Sequence, residues 1–134
     1  MLEARAISIA IRCGWREVYD RFWRPETFPQ WASGLSDAGF QPDGEVWRAR
    51  GPAGPITIRF TPQNGFGVLD HWVDLGEGRI VYVPLRVIEN GAGCLVTVTL
   101  FRQPDMDDAK FAADAAWVER DLRGLKRLAE DEAG

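Results

Sequence analysis

The 134-residue chain contains a single histidine, only two cysteines and two methionines. It also lacks any long apolar run or block of like charge. Each shortage removes a class of function. Cys13 and Cys94 stand far apart with no paired Cys/His spacing, so a structural zinc site has no support and two free thiols are expected. Sixteen basic against twenty acidic residues leave a net charge of -4. Without a basic stripe to follow phosphates, nucleic-acid binding is not expected. No run of about eighteen apolar residues exists, which argues against an integral membrane segment. The opening MLEARAISIAIRCGW lacks the basic start, long apolar stretch and cleavage site of a secretory signal, and a cytoplasmic setting is expected by default. No internal repeat, low-complexity tract or linker is visible. Residues 1–134 therefore read as a single domain of a length that suits one core.

What the chain has in excess is bulk: six tryptophans and seven phenylalanines against two tyrosines. Such side chains either fill a wide space between elements or line it. Periodicity then sets the elements. Ile7, Ile9 and Ile11 alternate in Ala4 to Arg12, the pattern of a half-buried strand. Trp15, Val18, Tyr19 and Phe22 fall on one face of an amphipathic helix. Arg24, pushed out of helical dihedrals by Pro25, ends it. Pro25 opens a second short helix expected over about Glu26 to Ser33. From Ala38 to Gln103 the pattern is one of consecutive strands: Glu45 to Arg50, Ile56 to Thr61, Val68 to Leu75, Arg79 to Ile88 and Cys94 to Arg102. Gln63 to Gly65 and Glu89 to Gly93 carry turn signals between them, so the strands are expected as an antiparallel meander. Phe111, Ala115, Val118, Leu122, Leu125 and Leu128 form the apolar stripe of a last helix, expected from about Asp107 to Asp131. At about 36 Å it is long enough to cross the sheet. The expected class is α+β, a curved antiparallel sheet around a long C-terminal helix, with two short helices after the first strand.

That order resembles the START-like superfamily, also called Bet v 1-like or SRPBCC (polyketide cyclase/dehydrase-like). The segments that carry the resemblance are WREVYDRFWRPETFPQWASGL, VYVPLRVIENG and AADAAWVERDLRGLKRLAE, and together they span essentially the full chain. The resemblance implies a helix-grip fold with a cavity between sheet and long helix. Members bind sterols, lipids, quinones, hormones or polyketides; some cyclise polyketides and others bind a chaperone. The superfamily has no universal catalytic motif, so no catalytic residue transfers from it.

Candidate site residues come from the alternation itself. Along Val68 to Leu75 the more apolar set is Leu69, His71, Val73 and Leu75, which places His71 inward and Asp70, Trp72 and Asp74 outward to solvent. An inward His71 is either satisfied by a backbone carbonyl, or a contact for a ligand hydroxyl or carbonyl, or the one weak catalytic candidate as a general base. The other inward candidates are Trp47, Ile58, Phe60, Val98 and Leu100 from strands and Phe111, Val118 and Leu122 from the long helix. Trp23 and Trp31 can join them from the helical corner. Each reads as ligand wall or simply as core. Pro84 lacks an N–H and signals a bulge or register switch. Arg86 is then either an inward anchor for an anion or, preferably, a solvated charge. Asp107 and Asp108 suit a helix start, and Asp114, Glu119 and Asp121 a solvated face, so no metal and no cofactor is expected. Three functions stay open. The first is binding of a small hydrophobic or amphipathic molecule such as a lipid, quinone or polyketide-like compound. The second is a cyclase or dehydratase using the same pocket. The third is a protein-interaction or chaperone-cofactor module working through Trp72. A homo-oligomer is compatible with all three.

Overall fold

The computed structural model describes residues 1–35 and 39–133; Ala38, the expected start of the strand run, lies outside them. The chain opens with β1 (Ala4–Ile11), α1 (Trp15–Phe22) and a 3-10 corner at Pro25–Gln30. Strands β2 (Gln41–Asp43), β3 (Val46–Gly51), β4 (Gly54–Phe60), β5 (His71–Asp74) and β6 (Ile80–Val83) follow, then β7 (Leu85–Asn90) and β8 (Gly93–Phe101). The long α2 (Asp108–Ala133) ends it. The 3-10 corner is shorter than the helix expected there. With Pro25 and Pro29 both in its six residues, too few N–H donors remain for a longer ladder.

All pairing is antiparallel: β2 to β6 form a meander, and β1-β8-β7 a second sheet. The segment expected as one strand over Arg79 to Ile88 is broken at Pro84 into β6 and β7. The break joins the two sheets. Residues 67–69 lie beside β7, with Val87 N–H donating to Gly67 O at 2.9 Å and Leu69 N–H to Leu85 O at 2.8 Å. Past Asp70 the same stretch changes neighbour, and His71 pairs with Val83 of β6. The Gln63–Gly65 turn signal is realised as a broad loop rather than a tight hairpin. Asn64 pins it, its Oδ1 accepting from Phe66 N–H and Val68 N–H and its Nδ2 donating to Pro62 O and Val68 O.

Alternation decides what is inside. Ile7 and Ile11 of β1, Val87 of β7, and Cys94, Val96 and Val98 of β8 are buried in one cluster with Val18 and Phe22 of α1. Ala115, Leu122, Leu125 and Ala129 of α2 close it, with Val118 and Leu128 at its margin. The expected stripe of the long helix is therefore the face laid on the sheet. Among the described residues no helix is long and apolar enough to cross a membrane. α1 and the segment that follows the 3-10 corner are tied to α2 by polar bonds. The Arg21 guanidinium donates to Ala129 O and Leu128 O at 3.2 and 3.3 Å. Ser33 donates from its N–H and hydroxyl to Asp121 Oδ1, at 3.1 and 2.5 Å. Trp117 Nε1 donates to the Ser33 hydroxyl at 2.8 Å.

Candidate functional site

The inner face of β4 and β5 carries rings, because Phe60 and His71 are register partners. Phe28 from the 3-10 corner descends on both, with ring centroids 5.3 Å from Phe60 and 5.1 Å from His71. Trp31 stands edge-on to Phe28 at 5.1 Å. These rings, with Phe22, Trp23, Leu69 and Leu85, surround a void of about 20 Å³, enough for one water-sized group. Thr61, Arg24 and Pro25 complete its wall. Arg24 is exposed, its guanidinium lying over the Trp23 ring at 5.1 Å, so this is the solvent side of the void. The space under the sheet is thus largely filled by the chain's own aromatics.

Of the expected site residues, Phe60 and His71 line this void, and Trp31 and Trp23 line it from the corner. Trp47 lies one step away, stacked on Phe40 at 4.8 Å, while Phe40 meets Phe60 edge-on at 6.3 Å. Ile58 pairs with Trp47 and is fully buried. Val98, Leu100, Val118 and Leu122 belong to the cluster between β8 and α2. Phe111 is buried below the Arg102 guanidinium, 5.8 Å away. Phe28 and Phe40 were not among the sequence candidates. A six-residue 3-10 segment has too few turns to show a periodic stripe, and Phe40 sits outside any strand.

His71 is 6 % exposed, and its hydrogen bond runs from Nδ1 to Leu69 O at 3.3 Å. Burial among rings holds its imidazole down to about 4 against the ordinary 6.5. It is therefore neutral near pH 7, an acceptor at Nε2 and a feeble base. The two thiols are not at hand as nucleophiles, since Cys13 and Cys94 are buried in the core cluster.

That burial has a pH signature. The unfolded histidine takes up a proton below about 6.5 and the folded one only below about 4, so the neutral form contributes stability above 6.5 that is lost as pH falls towards 4. The charged group that acts on the ring is Asp70, engaged on the other face of the strand, and the one charged residue in the wall of the void is Arg24, at its solvent side. Denaturant midpoints should fall across that window, by on the order of 2–3 kcal/mol in free energy. His71→Phe should flatten the curve there. A wild-type curve already flat between pH 6.5 and 4 would rule this out.

Asp70 corrects the sequence reading. Its side chain was expected in solvent; it is 4 % exposed. It does point away from His71's face, but that face is covered at this position. Pro84 bends the chain so that Tyr82 and Arg86 converge on the carboxylate from either side of the break. Oδ1 accepts from Leu85 N–H and Arg86 Nε, each at 2.9 Å. Oδ2 accepts from Arg86 Nη2 at 2.8 Å and from the Tyr82 hydroxyl at 2.6 Å. Arg86 is thus neither an inward anion anchor nor a free solvated charge, but half of a bidentate pair. Beyond it, Trp72 is exposed and stacks on Tyr82 at 5.2 Å, which in turn stacks on Phe101 at 6.2 Å.

No family model and no curated protein matches the chain in sequence. Solved structures do match in shape. A START superfamily protein from Mycobacterium smegmatis superposes with a TM-score of 0.70 at 12 % identity, over 96 % of this chain and 97 % of its own. Ara h 8.0201 does so with a TM-score of 0.72 at 7 % identity, over 98 % and 99 %. The chain has the START-like, Bet v 1-like helix-grip fold. DynU16, a protein of the dynemicin biosynthetic locus, also shares this helix-grip fold, with a TM-score of 0.70 at 19 % identity over 95 % of this chain and 47 % of its own. At these identities the likeness is one of fold.

Proposed function

We propose that this helix-grip protein binds a small, mostly apolar molecule beneath the 3-10 corner, between Phe28 and the β4–β5 face. The observation that carries this reading is the aromatic lining of the void. Phe22, Trp23, Phe28, Trp31 and Phe60 converge on one point from three different elements, with His71 as the polar member. A pocket of few polar groups in an apolar wall is the usual form of a small-molecule site. Its affinity rests on apolar area removed from water, at about 25 cal/mol per Å².

The void admits a ligand when the corner moves outward. Phe28 is only half-buried, and its ring is held by edge contacts with Trp31, Phe60 and His71. Such contacts contribute about 1 kcal/mol each beyond area burial, which is small enough to exchange for ligand contacts. The neutral His71 suits orientation of a bound group far better than enolisation of it, which favours binding over turnover.

The test uses native mass spectrometry of the purified chain beside its denatured mass, followed by titration with the apolar dye N-phenyl-1-naphthylamine. A retained apolar compound, or dye binding that Phe28→Ala strengthens about tenfold by opening space beneath the corner, supports the reading. Dye binding that Phe28→Ala leaves unchanged would place any ligand elsewhere and reject it. So would a clean mass together with no dye binding to either form.

A further inference from the structure

The outer edge of β1 lies away from the void and carries a pattern of its own. In the order β1-β8-β7 this strand is terminal, and no described strand flanks its other side. Arg102 N–H donates to Glu3 O at 2.8 Å, which sets the phase of the ladder: Arg5, Ile7, Ile9 and Ile11 bond to β8. The N–H and C=O groups of Ala4, Ala6, Ser8 and Ala10 therefore aim away from it. α2 runs alongside in the same direction and serves the far end of this row. Lys126 Nζ donates to Ala10 O at 2.9 Å, and Glu130 Oε2 accepts from Arg12 N–H at 2.9 Å. The backbone groups of Ala4, Ala6 and Ser8 have no such partner among the described residues, and an open groove separates them from Glu119, Leu122 and Arg123 of α2. The usual guards of a bare edge are missing as well. No proline, lysine or bulge interrupts Ala4–Ile11, which pairs one-to-one with β8 throughout.

We infer that β1 is a dimerisation strand, pairing antiparallel with β1 of a second copy of this chain across a two-fold axis at Ala6. The bare groups are symmetric about that residue. Ala6 meets its own counterpart, and Ala4 meets Ser8 in both directions. Each such pair exchanges two N–H···O=C bonds, so every bare group from Ala4 to Ser8 is satisfied. This register stops short of Ala10 O and Arg12 N–H, which α2 serves. Ala4, Ala6 and Ser8 are small and exposed on the outer face, so their side chains leave room for a strand at about 4.8 Å. The same axis matches charge beneath. Arg5 lies 3.6 Å from Glu119 and Ala10 beside Lys126, so the level of Ala6 falls on α2 near Arg120 and Asp121. An antiparallel α2 then sets Glu119 opposite Arg123 of the second copy, and the reverse. Arg123 has no ion-pair partner of its own among the described residues. Any extended strand would take up the bare backbone groups, but the second copy also brings the acid that Arg123 lacks.

The experiment follows the full chain by sedimentation equilibrium over a range of concentrations, with amide hydrogen exchange by NMR at both ends of that range. The mass should rise towards twice that of the chain. Exchange at Ala6 and Ser8 should slow about tenfold or more as the dimer forms, whereas the Arg12 amide, held by Glu130 in the monomer, stays as it was. Ala6→Lys sets two ammonium groups opposite each other at the axis, on a face exposed in the monomer, and should keep the chain monomeric. Ala6→Pro removes an N–H at the axis without touching the β8 ladder, and should do the same. A dimer that survives both substitutions uses another surface and overturns the inference. A chain that stays monomeric at every concentration also overturns it. Protection of its Ala6 and Ser8 amides by an added peptide of alternating threonine and valine would then assign the edge to a foreign strand.

Discussion

Asp70→Ala is expected to lower stability by about 2–4 kcal/mol, the cost of leaving the buried Leu85 N–H unpaired together with the lost bonds from Tyr82 and Arg86. The loss exceeds that of an ordinary surface bridge because four hydrogen bonds end on this one carboxylate. Pro84 brings no N–H of its own, and the chain bends there, so the Leu85 N–H has no strand partner and depends on Oδ1. Without the carboxylate that N–H is buried and unpaired, since Leu85 is 2 % exposed. The Tyr82 hydroxyl loses its acceptor as well. Arg86→Ala should cost much less, about 1 kcal/mol, because the guanidinium side is half in water and the carboxylate keeps Leu85 and Tyr82. A carboxylate this well served stays ionised. Desolvation pushes its pKa up, but the bonds from Arg86, Tyr82 and Leu85 outweigh that and hold it at about 2 instead of 3.8. Its contribution is therefore present above 3.8 and lost as pH falls through about 2, a window below that of His71. Urea unfolding of the two variants at pH 7 checks the order. Equal losses for both substitutions would show that the salt bridge, and not the Leu85 N–H, is what Asp70 supplies.

The case of Asp70 also shows where reading a sequence stops. Period-two alternation assigned it correctly to the face opposite His71, and the same rule aligned Trp47 with Ala49 and Val98 with Leu100. What failed was the step from face to solvent. Whether an outward face is wet depends on what crosses it, and here Tyr82 and Arg86 do so only because the chain kinks at Pro84. The kink was legible, as a proline in an otherwise apolar strand; its consequence at Asp70, twelve residues before Tyr82 and sixteen before Arg86, was not. The void has the same character. His71 and Phe60 could be picked from their strands, and Trp31 from its corner, because each stands in a recognisable element. Phe28 closes the void from a segment with no period of its own. The long helix was the most legible part, since its apolar stripe repeats over many turns and each turn supplies an independent vote.

Gly67→Ala is expected to cost about 4 kcal/mol, from a left-handed backbone, a steric clash and a broken interstrand bond together. Gly67 has φ +71°, a conformation that side chains rarely adopt, and it is buried where residues 67–69 join β7. A Cβ there would lie 2.2 Å from Val87 O. No rotamer relieves a contact with backbone, so the strand must retreat. Retreat lengthens the bond from Val87 N–H to Gly67 O, now 2.9 Å, and that bond is one of few tying the loop to β7. Because Leu69 and Asp70 follow directly, the shift also reaches the Leu85 N–H and the wall of the void. Loosened attachment of Leu69 should weaken the proposed ligand binding under the corner even in molecules that stay folded. Gly124→Ala supplies the opposite sign on the same chain. It lies inside α2 with ordinary helical φ and nothing within 4 Å of an added Cβ. There the methyl removes only backbone freedom from the unfolded state, and stability should rise by about 0.5–1 kcal/mol. Thermal unfolding of both variants decides the matter. A mild loss for Gly67→Ala would mean that the junction between the two sheets can slide, and that the void can open without moving the 3-10 corner at all.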